Sequence, residues 1–168
     1  FAAFGQLPYS WNAGVNPGWT SDGAGLQWRG GCGYVTTNCN GTYNNNMSTT
    51  YTSPPINASC ANASTISVTF TAFGNSEYMY DFMFIYYSLD NGTTWINPYG
   101  TDVGWTGNFG SSPGSTIPAI ILPTASDIRF RFHFLSDNFL AYPGYKLTDF
   151  DVVCNVVLPV EIFSFTGK

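Results

Sequence analysis

Four aspartates are the residues of this sequence whose type and position could do chemistry together. Carboxylate oxygens are hard ligands, and calcium takes roughly six to eight such oxygens from carboxylates and carbonyls. If the fold gathered these aspartates, they would form a calcium site: Asp81, Asp90, Asp149 and Asp151. The simpler interpretation, which we favour, is that Asp90 serves a hairpin turn while Asp149 and Asp151 accept backbone hydrogen bonds.

Groups suited to catalysis are sparse. His133 is the only histidine, and it alternates with Arg129 and Arg131 on the predicted outward face of a strand. That position favours a solvent-facing or cross-strand role over general-base chemistry. The sequence has no phosphate-binding loop and no metalloprotease helix motif. A glycosidase needs only two carboxylates, but no acid here combines an apolar pocket with a partner, so we expect a non-enzymatic protein, with a hydrolase domain less favoured.

Three aromatic residues fall in or beside a long loop. They are Trp95, Tyr99 and Trp105. Flat aromatic rings offer a large apolar face that can stack on a sugar ring, so these residues predict a carbohydrate-binding platform. The alternative, which we slightly favour, is that the three rings cover an edge of the β-structure.

Four cysteines allow three pairings. They are Cys32, Cys39, Cys60 and Cys154. We expect Cys32–Cys39, which closes a small loop, and Cys60–Cys154, which ties the two ends of the main β region together. No two of them form a Cys-x-x-Cys pair and the histidine is distant in sequence, so zinc is not expected. Disulfides persist in oxidising compartments, which indicates secretion.

The composition is poor in charge and rich in aromatic residues. Of 168 residues, 9% are charged and 18% aromatic, and the formal net charge is −5. An ordinary soluble domain has roughly 25% charged residues. Five Lys and Arg residues cannot neutralise a nucleic-acid backbone, and no apolar run reaches the roughly 20 residues needed to insert into a membrane. Such neutral, aromatic-rich surfaces are typical of extracellular lectins, adhesins and fibre subunits.

The segments that must position these residues have the pattern of β-strands. Apolar and polar residues alternate in residues 65–73 and 127–134, and residues 145–153 form the last strand before a cysteine. Residues 78–88 are apolar on both faces, as expected of a central strand in a sandwich. The pair Asn91-Gly92 favours the positive φ values of a type I′ turn after that strand.

The predicted fold class is therefore all-β. We expect one antiparallel β-sandwich of jelly-roll type over residues 1–155, followed by a strand-like C-terminal tail at residues 156–168. The N-terminal part of the sandwich is rich in loops. Its expected packing anchors are Trp11, Trp19 and Trp28.

The tail is apolar on both faces. Its apolar residues, which we predict to act in assembly, are Val157, Leu158, Val160, Ile162, Phe163 and Phe165. Folded proteins cover or pair an exposed strand of this kind. The tail therefore packs on its own sandwich, continues into a further domain or lies against a neighbouring subunit. We favour the last arrangement, in which strand addition joins copies of the chain.

Several stretches of the C-terminal half resemble a known family. They are residues 86–95 (Tyr-Tyr-Ser-Leu-Asp-Asn-Gly-Thr-Thr-Trp), 128–132 (Ile-Arg-Phe-Arg-Phe) and 144–152 (Gly-Tyr-Lys-Leu-Thr-Asp-Phe-Asp-Val). Their order resembles the MAM-like and cleaved-adhesin jelly-roll modules of bacterial surface proteins. The chain departs from that pattern at the paired acids of the last strand, which are separated here by Phe150.

The tail carries a second resemblance. Residues 158–167 (Leu-Pro-Val-Glu-Ile-Phe-Ser-Phe-Thr-Gly) resemble the segment that introduces the C-terminal region of proteins exported by the type IX secretion system of Bacteroidota. This resemblance implies an extracellular or cell-surface location.

Taken together, the sequence predicts a non-enzymatic extracellular protein with a structural or adhesive role. We expect a self-associating cell-surface or filament subunit whose partner is another copy of the chain. The alternative is a carbohydrate-binding module of a larger secreted protein, with a polysaccharide or glycan as ligand. Neither function requires a cofactor, and calcium is the one ion that the aspartates could hold.

Overall fold

A computed structural model of the chain describes residues 5–12, 14–23, 25–61, 63–110, 115–116 and 119–155. The predicted assembly residues and the tail boundary at residue 156 lie outside the described residues. Among the residues that are described, no helix is long and apolar enough to cross a membrane.

The described part of the chain contains fourteen strands. They are β1 (Gly5–Gln6), β2 (Tyr9–Asn12), β3 (Thr20–Ser21), β4 (Gln27–Arg29), β5 (Tyr34–Thr36), β6 (Ser48–Thr52), β7 (Ile56–Ala58), β8 (Thr65–Asn75), β9 (Phe82–Ser88), β10 (Asn108–Phe109), β11 (Ser115–Thr116), β12 (Ile120–Pro123), β13 (Ala125–Leu135) and β14 (Gly144–Cys154).

The strands form two sheets that pack against each other. The first sheet is built around β13, which pairs with β9, β6 and β7, while β3 lies beyond β6 and β1 beyond β7. The second is built around the β8–β14 pair, with β10, β11 and β12 along β8, β2 and β5 along β14, and β4 beyond β5. The described pairings are antiparallel apart from β1 with β7. The predicted antiparallel β-sandwich is confirmed, and its jelly-roll form stays a prediction.

Strict alternation along two long strands builds the core. In β8 and β13 every second residue is buried, and its neighbours face outward. The inward side chains are those expected from the sequence: Ile66, Val68, Phe70, Ala72, Ile128, Phe130, Phe132 and Phe134. Aromatic rings join the two sheets, with centroids 5.1 Å apart for Phe70–Phe132 and for Phe130–Phe150. Such offset aromatic contacts stabilise a core beyond the area that they bury.

The N-terminal part is fastened to this core by tryptophan. The Trp19 ring stacks on Tyr51 at 5.5 Å and on Phe132 at 5.9 Å, and it meets Phe150 edge-on at 5.0 Å. Trp11 is also buried, whereas Trp28 is half-buried against the core. The expected anchors therefore hold the loop-rich segment to both sheets.

Both expected disulfides are present. Cys32 bonds to Cys39 across seven positions of sequence, and Cys60 bonds to Cys154 across 94. The second bond joins the segment after β7 to the end of β14. It therefore links the first sheet to the second at one end of the sandwich.

The strand predicted over residues 78–88 is wrong in two respects. The strand begins only at Phe82, because the carbonyl of Glu77 accepts the amides of Tyr80 and Asp81 and closes a turn. The strand is also at a sheet edge rather than central. It pairs with β13 on one side, and on the other side its bridges to described residues are isolated ones, to Ile96 and Trp105.

Candidate interaction surface

Five large apolar side chains are exposed together at one end of the sandwich. They come from the loop that joins β8 to β9 and the loop that joins β13 to β14. Both loops lie at the same end because Asn75, the last residue of β8, pairs with Gly144, the first of β14. We call this group the apolar end surface: Tyr78, Met79, Tyr80, Phe139 and Leu140, each 58% to 71% exposed.

The first loop holds its three apolar residues in a fixed conformation. Met79 has a φ of 66°, a left-handed conformation that is uncommon for residues other than glycine. Its amide donates to Oγ1 of Thr106 at 2.7 Å, and the Tyr78 ring lies against Gly107, where an added Cβ would be 2.9 Å from Cδ2 of the ring. A backbone held in a sparsely populated conformation by its surroundings is a frequent feature of binding sites.

The second loop is held by the segment before β6. The side-chain amide of Asn45 donates to the carbonyls of Asn138 and Phe139, at 3.0 and 2.9 Å. The amide of Tyr43 donates to the carbonyl of Tyr142 at 2.9 Å. These bonds come from residues more than 90 positions away in sequence, so tertiary structure fixes the loop.

Two carboxylates, those of Asp81 and Glu77, join the two loops beneath the surface. Asp81 is fully buried and accepts the amide of Asp137 at 2.7 Å and the hydroxyl of Tyr43. Glu77 accepts the amide of Leu140 at 3.1 Å. The bonds hold Tyr80, Phe139, Leu140 and Glu77 around one shallow groove of about 300 Å³. The apolar end surface is thus preorganised by hydrogen bonds to its own backbone.

The structure does not bring the four predicted calcium ligands together. Asp81 and Asp90 lie at opposite ends of β9, which separates them by about 20 Å at the usual rise of a strand. Asp149 and Asp151 lie on β14, in the other sheet. The acidic group whose ligand atoms fall within 4.8 Å of one another, among the residues described, is Glu77, Asp81 and Asp137. Those oxygens already accept hydrogen bonds from the two loops.

Asp90 takes the turn role that we favoured. Its carboxylate accepts the amide of Thr94 at 2.8 Å, the hydroxyl of Thr94 at 2.6 Å and the hydroxyl of Ser88 at 2.8 Å. The bonds to Thr94 are the largest cause that lowers the pKa of Asp90 to about 2. The turn itself has positive φ at Asn91 and Gly92, 59° and 86°, as the sequence predicted.

The other two aspartates have a different environment. Burial, followed by the neighbouring charge of Asp149, raises the pKa of Asp151. Asp149 accepts the hydroxyl of Thr148 at 2.7 Å. Both aspartates pair with residues of β2 and of β8 in the second sheet. No third acid among the described residues joins them.

The three aromatic residues predicted as a sugar platform divide into two groups. Trp105 packs edge-on against Phe70 of the core at 5.2 Å, and Tyr99 packs edge-on against Trp105 at 5.7 Å. These two rings cover the open edge beside β9, as in the alternative interpretation. Trp95 instead lies on the outer face of the first sheet, where the guanidinium of Arg131 sits 3.8 Å from its ring centroid.

Two clefts adjoin the Trp95–Arg131 pair. One, of about 340 Å³, is lined by Trp95 with Tyr86, Asn97, Thr101 and Asp102 among others. The other, of about 350 Å³, is lined by Arg131 with polar groups that include Asp22, Thr50, Thr52 and Arg129. We call them the outer-face clefts. The first cleft combines aromatic faces with hydrogen-bonding groups, and the second is lined by neutral and charged polar groups.

His133 has the predicted cross-strand role. Its Nε2 lies 3.1 Å from the hydroxyl of Ser48 on the neighbouring strand. Burial is the main cause that lowers the pKa of His133, and the charge of Arg131 lowers it further, while the charge of Asp22 acts in the opposite direction. The ring is therefore neutral at physiological pH.

Sequence reasoning missed the apolar end surface. The sequence predicts Tyr78, Met79 and Tyr80 in a central strand that is apolar on both faces, not in an exposed turn. Phe139 and Leu140 carried a usable signal, since they are adjacent apolar residues inside a loop rich in Asp, Asn and Pro. A loop places such residues at the surface.

The fold and its surfaces define a disulfide-bonded antiparallel β-sandwich with one preorganised apolar end. Comparison of the chain with models of known protein families finds no match, and comparison with curated proteins finds none either.

Proposed function

We propose that this chain is a non-enzymatic extracellular domain with a structural or adhesive role, and that it associates with other copies of itself. The observation that carries the proposal is the apolar end surface. At their exposed fractions, its five side chains offer on the order of 600 Å² of surface, which reaches the roughly 300–600 Å² of the largest patch on a typical monomer. The largest apolar patch of a monomer is often functional, and the five side chains reach the upper end of that range.

The rigidity of the surface supports the same proposal. Binding costs free energy when loops must be ordered, and a preorganised surface avoids that cost. Both loops are already ordered, because their backbone amides donate to Thr106, Glu77 and Asp81 and their carbonyls accept from Asn45. The surface is therefore ready to bind without rearrangement.

The cell-surface location is part of the proposal. Two disulfides fit an oxidising compartment, and the type IX secretion resemblance of residues 158–167 points to the cell exterior. The low share of charged residues, 9%, also matches proteins that work through neutral polar and aromatic surfaces.

Light scattering coupled to size exclusion tests the proposal over a range of concentrations. We expect the chain to form oligomers and the double variant Tyr80→Ser/Phe139→Ser to stay monomeric with an unchanged melting temperature. The matched control is Val15→Ser/Ile121→Ser, which removes side chains that are 59% and 56% exposed elsewhere and should leave association intact. A chain that is monomeric at every concentration would contradict the proposal.

The outer-face clefts favour glycan binding as a second candidate function. Sugar sites pair aromatic rings with a few polar groups that fix orientation, and the cleft of about 340 Å³ is lined by Trp95 and Tyr86 together with polar groups. The test is retention on immobilised polysaccharides, which Trp95→Ala should abolish and Tyr99→Ala should preserve. Retention that survives Trp95→Ala would exclude these clefts as the site.

A further inference from the structure

The sandwich has two chemically different ends. The apolar end surface lies where β14 begins, at Gly144. Strand β14 then runs to Cys154, ten residues further, which corresponds to roughly 33 Å at the usual rise of a strand. The amide of Asn155 still donates to the carbonyl of Thr65 at 3.0 Å, so Asn155, the last described residue, lies at the end opposite the apolar end surface.

The residues that follow Asn155 have the chemistry of a binding segment. Among residues 156–165, eight are Val, Leu, Pro, Ile or Phe, and Glu161 is the one charged residue. Apart from Glu161, the segment offers mainly apolar side chains, which can cover the exposed rings of the apolar end surface.

We infer that the apolar end surface of one subunit binds residues 156–165 of the next. This inference rests on the self-association proposed above and names the two surfaces that meet. Binding buries the exposed rings of Tyr80 and Phe139 together with Leu140 and covers apolar groups of the segment in the same step. The groove between Glu77, Tyr80, Phe139 and Leu140 receives an apolar side chain of the segment.

Geometry favours a contact between subunits over one within a subunit. Ten residues span at most about 36 Å when fully extended. To reach its own apolar end surface, the segment would have to run straight back along the whole sandwich. A neighbouring subunit can instead place its apolar end surface next to Asn155. The segment and the surface then join subunits end to end.

An end-to-end contact between two different surfaces has a defined consequence. It is heterologous, so each subunit uses one surface to bind a neighbour ahead and the other to bind a neighbour behind. Repetition produces an open filament unless the rotation between subunits closes a ring. The subunit repeat would follow the long axis of the sandwich.

Complementation between two variants of the full chain tests the inference. The surface variant, Tyr80→Ser/Phe139→Ser, keeps the segment, and the segment variant, Ile162→Ser/Phe163→Ser, keeps the surface. We expect each variant alone to be monomeric and an equimolar mixture to form a one-to-one dimer and nothing larger, as measured by native mass spectrometry with one variant isotopically labelled. Unchanged melting temperatures show that both variants are folded.

The other outcomes overturn the inference in distinguishable ways. Oligomers formed by the segment variant alone would mean that the apolar end surface binds the apolar end surface of another subunit. Oligomers formed by the surface variant alone would place the segment on another surface. A mixture that stays monomeric would exclude the contact even if the unaltered chain assembles. If the unaltered chain is itself monomeric, the proposed self-association fails together with the inference.

Discussion

The hydroxyl of Tyr43 donates a hydrogen bond to the buried carboxylate of Asp81. The two residues are 38 positions apart, and their contact joins the segment before β6 to the turn before β9. Burial, with the hydrogen bond to Asp81 and its charge adding to it, raises the pKa of Tyr43 well above its usual value. The phenol therefore remains a donor at any physiological pH, and the buried carboxylate keeps its partner.

Removal of the Asp81 carboxylate should destabilise the protein. Asp81→Ala leaves the Tyr43 hydroxyl and the Asp137 amide without an acceptor, so we expect a loss of about 3 kcal/mol in the free energy of unfolding. Tyr43→Phe removes one of the two donors and should cost about 1–2 kcal/mol. Denaturant titration measures both, with the exposed Asp102→Asn as control, because asparagine tolerates the positive φ of 61° at that position. A loss below that of Tyr43→Phe would show that Asp81 does not hold the loops.

The two disulfides should differ in their contribution to stability. By the loop-entropy relation, the bond that closes the 94-residue separation contributes roughly 4–5 kcal/mol, and the bond that closes the seven-residue separation roughly 2–3 kcal/mol. Cys60→Ala/Cys154→Ala should thus lower the free energy of unfolding more than Cys32→Ala/Cys39→Ala. The reverse order in chemical denaturation would argue against this account.

Stability should decline as the pH falls through the range in which His133 titrates. Its pKa is lower in the folded state than in the unfolded chain, where it is about 6.5, because burial and Arg131 disfavour the charged ring. The unfolded chain thus takes up the proton first, and the stabilisation that is complete above about pH 6.5 is lost as the pH falls towards the folded pKa. The control is His133→Gln, which should flatten this part of the profile between pH 7 and 5. An identical slope in that variant would assign the effect to other groups.

The turn at Asp90 should withstand acid. The folded pKa of about 2 lies below the unfolded value of about 3.9, so its stabilisation is complete above about pH 4 and is lost as the pH falls through 2. An NMR titration of the carboxyl should have its midpoint near 2. Thr94→Val removes one donor hydroxyl and should raise the midpoint, whereas Thr93→Val should change it less. A midpoint near 3.9 in the unaltered chain would contradict the hydrogen bonding described.

Local pattern predicted the long strands and the core because the information is contained in neighbouring residues. In an extended chain every second side chain points to the same face. The apolar residues Ile128, Phe130, Phe132 and Phe134 therefore form one face that must be buried, whichever strand packs against it. The turn at Asn91-Gly92 is likewise a property of the two residues that form it. The pairing of the cysteines followed from loop length and the position of the strands.

The candidate site required information from distant parts of the chain. Tyr78, Met79 and Tyr80 have strand propensity, but hydrogen bonds to Thr106 and to Glu77 hold them in a turn. The aspartates predicted to meet are separated by the length of β9 and by the gap between sheets. Neither outcome can be predicted from neighbouring residues, because both depend on which strand ends lie close together in the folded protein.

The sequence by itself determined that this protein is a disulfide-bonded β-sandwich, since alternation, turn chemistry and cysteine spacing are local or nearly so. Only the tertiary structure decided which exposed residues act together. The antiparallel register of β8 and β14 places Asn75 opposite Gly144, and it therefore brings two loops, 60 residues apart in sequence, to one end of the sandwich. The apolar end surface exists because those strands pair in that register.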